Sequence, residues 1–300
     1  MYSENWILLG ILTGIFFGFQ TVFIKLLSKH YHQFEILSYL FIIAGFIILP
    51  FSLMDSWKID VVPFIWSTTV SFVVNIAAFY LMALAVSRYP ISTVMPFIGL
   101  TPLFLTLTGA IILDERIAFM GFISITMIVI GSFILQMPQR TDGKPVWHFK
   151  QFFNTKEKGI GLAILVAFLW SITASVEKIA VLSSTPAIYA SIIHFALGIA
   201  FVVLSRFIAQ KRADSYGRPQ KIIPKELKLN VILLGLFSAL LAINQLTAIK
   251  YAFVTYIISF KRAGIILSSI IGFVYFKESG VVKKLIGTIM IIAGTIIITL

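Results

Sequence analysis

Residues 93–134 read TVMPFIGLTPLFLTLTGAIILDERIAFMGFISITMIVIGSFI, and this stretch decides the fold. Two apolar runs are separated only by the charged turn Asp114, Glu115, Arg116. A bilayer core of about 30 Å is crossed by about 20 apolar residues rising 1.5 Å each. Runs of that kind recur near 6–27, 33–53, 63–87, 91–113, 118–136, 159–182, 185–208, 229–251, 254–276 and 281–299. Runs such as ILVAFLW do not alternate, so the expected class is an all-α integral membrane protein with ten transmembrane helices, not a β-barrel. The first run lacks the basic leader and small-residue cleavage site of a signal peptide and is read as a span.

Composition agrees. The 300 residues are 59% hydrophobic and 12% charged, with a mean hydropathy of +0.99. Soluble domains run near 45–50% apolar and about 25% charged, so this chain cannot supply a water-facing surface all round. Cysteine is absent, which removes disulfides, thiolate nucleophiles and Cys-based metal sites. No phosphate-binding loop, HExxH or GxSxG occurs, so neither ATP hydrolysis nor proteolysis within the chain is supported. The expectation is a protein that is not an enzyme and needs no cofactor.

The quoted stretch has a second copy. Residues 258–298 read ISFKRAGIILSSIIGFVYFKESGVVKKLIGTIMIIAGTIII, and a shift of 163 places Gly109 on Gly272, Glu115 on Glu278 and Gly131 on Gly294 without a gap. A shift of 153 places Lys25 on Lys178 and Phe17 on Trp170. The chain therefore divides into a first five-helix repeat (1–136), a basic linker (137–158) and a second repeat (159–300). An odd number of spans per repeat gives the two copies opposite orientations, a plan common among secondary transporters.

The Pro-bearing fourth span, the tight L-x-E-R turn and the Gly-containing fifth span resemble the end of an EamA-type repeat of the drug/metabolite transporter superfamily. The resemblance covers all ten spans and implies a transporter with two inverted five-helix repeats around a central cavity. Its motifs indicate fold rather than substrate. The second copy departs from the first where Pro96 and Pro102 are answered by Ser259 and Ile265, and where Lys261 and Arg262 stand opposite Ile98 and Gly99.

The net charge of +12 is unevenly spread. Counting spans puts 17 of the 24 Lys and Arg residues on the side of the long loops, 2 on the side of both termini, and 5 within spans. The positive-inside rule then makes the long loops cytoplasmic and both termini external, in a cell (inner) membrane. The basic loops are read as solvated, orienting charge and resemble no nucleic-acid-binding platform, so no nucleic-acid partner is expected; the partners are the bilayer and a small-molecule substrate, with the chain a monomer or a homodimer.

Ionisable groups inside a span are costly and mark function by default. Lys261 and Arg262 lie about 11–12 Å below the terminus-bearing surface at 1.5 Å per residue, and Glu177 about 7–8 Å below it. His194, Asn244 and Gln245 enter from the same side. Gln20, Thr21, Asn75 and Tyr80 are the neutral polar groups of the first repeat, and Trp170, with Phe17 and Tyr256, offers aromatic walls. These residues form the expected substrate site. One Glu cannot neutralise both Lys261 and Arg262, which favours an anionic or amino-acid-like metabolite carried by alternating access. Arg262 suits a carboxylate fork and Lys261 a point charge. Glu177 either pairs with them, receives an amine or exchanges a proton. A lipid-phosphate flippase and a non-transporting membrane scaffold are the alternatives. Lys178 and Lys250 are expected to snorkel, and Glu115 and Glu278 to cap or tie neighbouring helices.

Overall fold

A computed structural model describes residues 5–89, 91–136, 158–216, 225–267, 270–271 and 281–299. All regular structure among them is helical: α1 (Asn5–Leu27), α2 (Gln33–Met54), α3 (Val61–Arg88), α4 (Ile91–Ile98), α5 (Thr101–Leu113), α6 (Phe119–Gln136), α7 (Lys158–Leu182), α8 (Pro186–Tyr216), α9 (Lys225–Tyr251), α10 (Val254–Ala263) and α11 (Val281–Ile297). Seven helical stretches among the described residues are long and apolar enough to cross a membrane, α4 and α5 together supplying one of them, and 119–135 and 285–297 are shorter apolar helices. Helix is the economical choice in lipid because every interior N–H and C=O is satisfied within its own segment. The linker before Lys158, Gly272 and Glu278 lie outside the described residues.

Turn chemistry follows the sequence. His32 caps α2: its ring accepts the Phe34 N–H at 3.4 Å, while Glu35 accepts the His32 N–H at 2.8 Å, closing a capping box. Asp114 ends α5 in the left-handed region (φ 52°), a conformation that Asp tolerates, and the Glu115 N–H folds back onto the Gly109 carbonyl at 3.1 Å. This reversal aims the Glu115 side chain back into the bundle.

The fourth span is broken, not merely kinked. α4 ends and α5 begins across Gly99–Leu100, between Pro96 and Pro102. Proline removes a donor and cannot continue a regular ladder, so the break has a direct cause. Its counterpart in the second copy breaks at Gly264, although Ser259 and Ile265 replace the prolines. The Gly264 backbone is pressed against Gly14 of α1, and a Cβ at Gly14 would stand 2.6 Å from the Phe260 carbonyl oxygen. Gly10, Gly14 and Gly18 form one stripe of α1 that lets its backbone touch α10, the small-xxx-small geometry of close helix pairs in membranes.

The most extensive helix pairs are α2 with α8, α3 with α7, α6 with α11 and α1 with α9. Each joins a helix before the linker to one after it. In chain order, α1 and α3 pack on α9 and α7, α2 on α8, and α6 on α11. The aromatic core sits toward the long-loop side, where Phe201 meets Phe34 at 5.9 Å, Phe41 at 5.7 Å and Phe79 at 5.5 Å.

Candidate functional site

α7 carries two polar faces about 100° apart, a consequence of 3.6 residues per turn. Trp170, Thr173 and Glu177 share one; Ser171, Ser175 and Lys178 share the other. The first face meets α3 and α10. Asn75 and Lys261 are the polar and cationic groups whose fields act on the Glu177 carboxylate. Asn75 is itself held from behind: its Nδ2 donates to Ser71 Oγ at 3.2 Å, and Ser71 Oγ is 2.8 Å from the Tyr189 hydroxyl. Ser71 and Tyr189 are fully buried. Among the described residues, Glu177 is the one carboxylate more than a turn from a helix end.

Lys261 places its ammonium 5.4 Å from the centroid of the Phe17 ring, a cation–π contact from α1. Arg262 turns the other way. Its Nη2 donates to Thr101 Oγ1 at 2.9 Å, whereas its Nε is buried with no hydrogen-bond partner. The residue is 9% exposed. Thr101 is the first residue of α5, so Arg262 sits at the positive end of a half-helix created by the break at Gly99–Leu100. Among the described residues, no carboxylate forms an ion pair with Arg262.

The other expected residues fall into different places. His194 is buried, accepted through Nδ1 by the Ala190 carbonyl at 2.8 Å and packed edge-on against Phe41 at 5.4 Å, which is the geometry of a satisfied core histidine. Trp170 stands 5.4 Å from Phe79, bordering the aromatic core. Gln20 donates to Ser238 Oγ at 2.9 Å, joining α1 to α9. Asn244 bonds its own helix at the Leu240 carbonyl, 2.9 Å away, while Gln245 is buried beside it. Tyr80 is 51% exposed and stacks on Phe34, away from Glu177 and Arg262. Lys178 does not snorkel: its Nζ donates to Glu115 Oε1 at 2.6 Å and to the Ala252 carbonyl at 2.8 Å. Glu115 is thereby a tie between helices.

Sequence reading missed Thr101, Ser71 and Tyr189. Thr101 had a signal, as a hydroxyl residue beside Pro102 at a helix break, and Ser71 lies one turn from Asn75 on α3. Tyr189 near a helix start carried none. A cavity of about 370 Å³ lies elsewhere, between α1, α10 and α11, walled by Ile11, Ile15, Leu267, Ile292 and Ile296. It touches Phe260 and Gly264 but no charged side chain.

Helices of membrane-spanning length, packed across a central linker around buried charges, define a multi-pass helical membrane protein in contact with the lipid bilayer. The model of the EamA-like transporter family matches residues 4–137 and again 157–300. The chain belongs to that family and is a membrane transporter of the drug/metabolite type. No curated protein compared with it matches in sequence. A solved crystal structure superposes with a TM-score of 0.76 over 99% of this chain and 97% of that one, at 15% identity, which bears on the fold alone.

Proposed function

We propose that this protein is a secondary transporter of a small organic anion or amino-acid-like metabolite, working by alternating access between two inverted five-helix repeats. The observation that carries the reading is Arg262, more than nine-tenths buried, with one bond to Thr101 and its Nε unpartnered. A buried guanidinium with an open edge is costly unless something completes it. Lys261 and the N-terminal end of α5 add positive potential from two further directions, and half-helix N-termini suit anionic groups in discontinuous membrane helices. A carboxylate on the open edge of Arg262, in the field of Lys261, leaves Glu177 free to receive an ammonium group or a proton. The exchange of helix partners between halves supports the inverted arrangement, and ten spans with external termini follow from the spacing and loop charge.

The test is a thermal-stabilisation screen of purified protein against amino acids and organic acids, followed by counterflow in proteoliposomes. Arg262→Gln is expected to lose both the stabilisation and the flux while remaining folded. An Arg262→Gln protein that keeps the wild-type ligand profile removes the assignment.

The apolar cavity favours a second reading. It abuts Phe260 and Ala263, next in the chain to Lys261 and Arg262. An acyl chain lying there would bring a lipid phosphate near the charged pair. Soluble anions that fail where an anionic lipid stabilises the protein would favour this flippase reading.

A further inference from the structure

At the terminus-bearing end of the bundle, Glu115 and Lys178 form a salt bridge of 2.6 Å, with side chains 5% and 14% exposed. It is the buried one of the two ion pairs among the described residues; the Asp114–Arg116 pair is exposed. Both partners also hold backbone. Glu115 Oε2 accepts the Val254 N–H at 2.9 Å, and Lys178 donates to the Ala252 carbonyl at 2.8 Å. Val254 is the first residue of α10, whose own N-cap, Phe253, makes no side-chain cap bond. A residue of the first half therefore caps the helix that carries Lys261 and Arg262 in the second.

Beneath this pair the α5–α7 seam is hydroxylated, not oily. Ser175 Oγ donates to Thr108 Oγ1 at 3.3 Å, and Thr108 donates to the Ser171 carbonyl at 3.3 Å. Thr255 Oγ1 is buried without a partner, and Ser259 is fully buried one turn deeper. Three elements meet here: the α5–α6 turn, α7 and the α9–α10 turn. Small hydroxyl residues pack closely and hydrogen-bond across helices in lipid, and the same hydroxyls are groups that water solvates once the end of the seam parts.

We infer that Glu115 and Lys178 are positioning residues forming a releasable clasp. Closed, it caps α10 and seals the terminus-bearing end above Lys261 and Arg262. Released, it frees the start of α10 and admits water along Thr108, Ser175 and Thr255. The inference rests on the alternating-access reading for its purpose, but its test needs no substrate.

The chain contains no cysteine, so single reporters can be placed in the native protein. Thr255→Cys lies directly under the clasp and Ser259→Cys one turn below. A membrane-impermeant maleimide is applied to each face of sealed vesicles holding either reporter, with and without the Glu115→Gln/Lys178→Met pair. The expected result is slow labelling of both reporters in the parent and at least tenfold faster labelling of both in the double variant, from the terminus-bearing face only. Unchanged rates in a folded double variant overturn the clasp. So does acceleration at Thr255→Cys alone, which would be fraying of the first turn, and so does acceleration from the opposite face. If the double variant does not fold, Glu115→Gln alone keeps an oxygen for the Val254 N–H and weakens only the charge attraction. It should raise both rates severalfold, and unchanged rates there overturn the clasp equally. Faster labelling combined with intact ligand binding in Arg262→Gln would sink the anion site and leave the clasp. Unchanged labelling combined with lost binding in Arg262→Gln would do the reverse.

Discussion

Gly14→Ala places one methyl group where two helix backbones meet. The new Cβ would stand 2.6 Å from the Phe260 carbonyl oxygen and 3.4 Å from the Gly264 nitrogen. The first is about 0.8 Å short of ordinary contact, and the obstacle is backbone, which cannot swing aside. α1 and α10 must separate, and a gap of 0.5–1 Å forfeits about a quarter to a half of each dispersion contact along the seam. Overpacking of this kind costs about 1–3 kcal/mol, and alanine's better helix propensity returns up to about 1 kcal/mol. A net loss of about 1–2 kcal/mol corresponds to a fall of roughly 2–6 °C in the melting temperature of a chain this size. The assay is thermal unfolding of detergent-solubilised protein, with Gly161→Ala as control because nothing lies within 4 Å of its Cβ. Gly161→Ala should hold or raise the melting temperature. Gly14→Ala melting within 1 °C of the parent would show that α1 and α10 do not touch backbone to backbone.

Thr101→Val removes the acceptor from Arg262 Nη2 and should weaken anion binding about tenfold, roughly 1.4 kcal/mol, with Thr101→Ser restoring it in the same titration. His194→Leu, in contrast, should shift ligand affinity less than threefold, since the ring is engaged by Ala190 and Phe41; a larger loss by isothermal titration returns His194 to the site. Glu115 titrates above the ordinary carboxylate value because burial outweighs the help of Lys178 and the Val254 N–H. A raised folded-state pKa means its contribution to stability is fullest below the unfolded value near 4.5 and is lost as pH rises through the folded one. The difference in melting temperature between wild type and Glu115→Gln should therefore shift against wild type from pH 4 to pH 8, and a flat difference would refute the burial argument.

Hydropathy and spacing made the helices legible because a bilayer allows few alternatives to them. The repeat was legible too, and its shift of 163 lays Gly99–Leu100, the break in one copy, on Arg262–Ala263, one residue before the break at Gly264 in the other. Prolines explained only the first. The second break coincides with the backbone contact of Gly14, visible in sequence as glycines at 10, 14 and 18 but informative only once the partner helix is known. At the site, counting residues from a span's end gives depth, and depth brought Glu177 and Lys261 together. It does not give azimuth. Tyr80 has a plausible depth but faces outward, Asn244 turns onto its own helix, and Arg262 leaves Glu177 for Thr101 because two residues adjacent on a helix point about 100° apart. Lys178 was misread for a related reason: nearness to a helix end suggests snorkelling unless the chain's other half supplies Glu115.

The pairing of helices across the linker also governs how the protein is made. α3 finds its main partner in α7, and α1 in α9, so neither has a permanent neighbour when it first enters the bilayer. At about 5–20 residues per second, the ribosome takes on the order of 10–40 s to deliver α9 after α1. During that interval Ser71, Asn75 and the glycine face of α1 stand in lipid or against provisional partners. Assembly thus waits for the second half, and a chain cut short in the linker leaves a set of helices without their intended contacts.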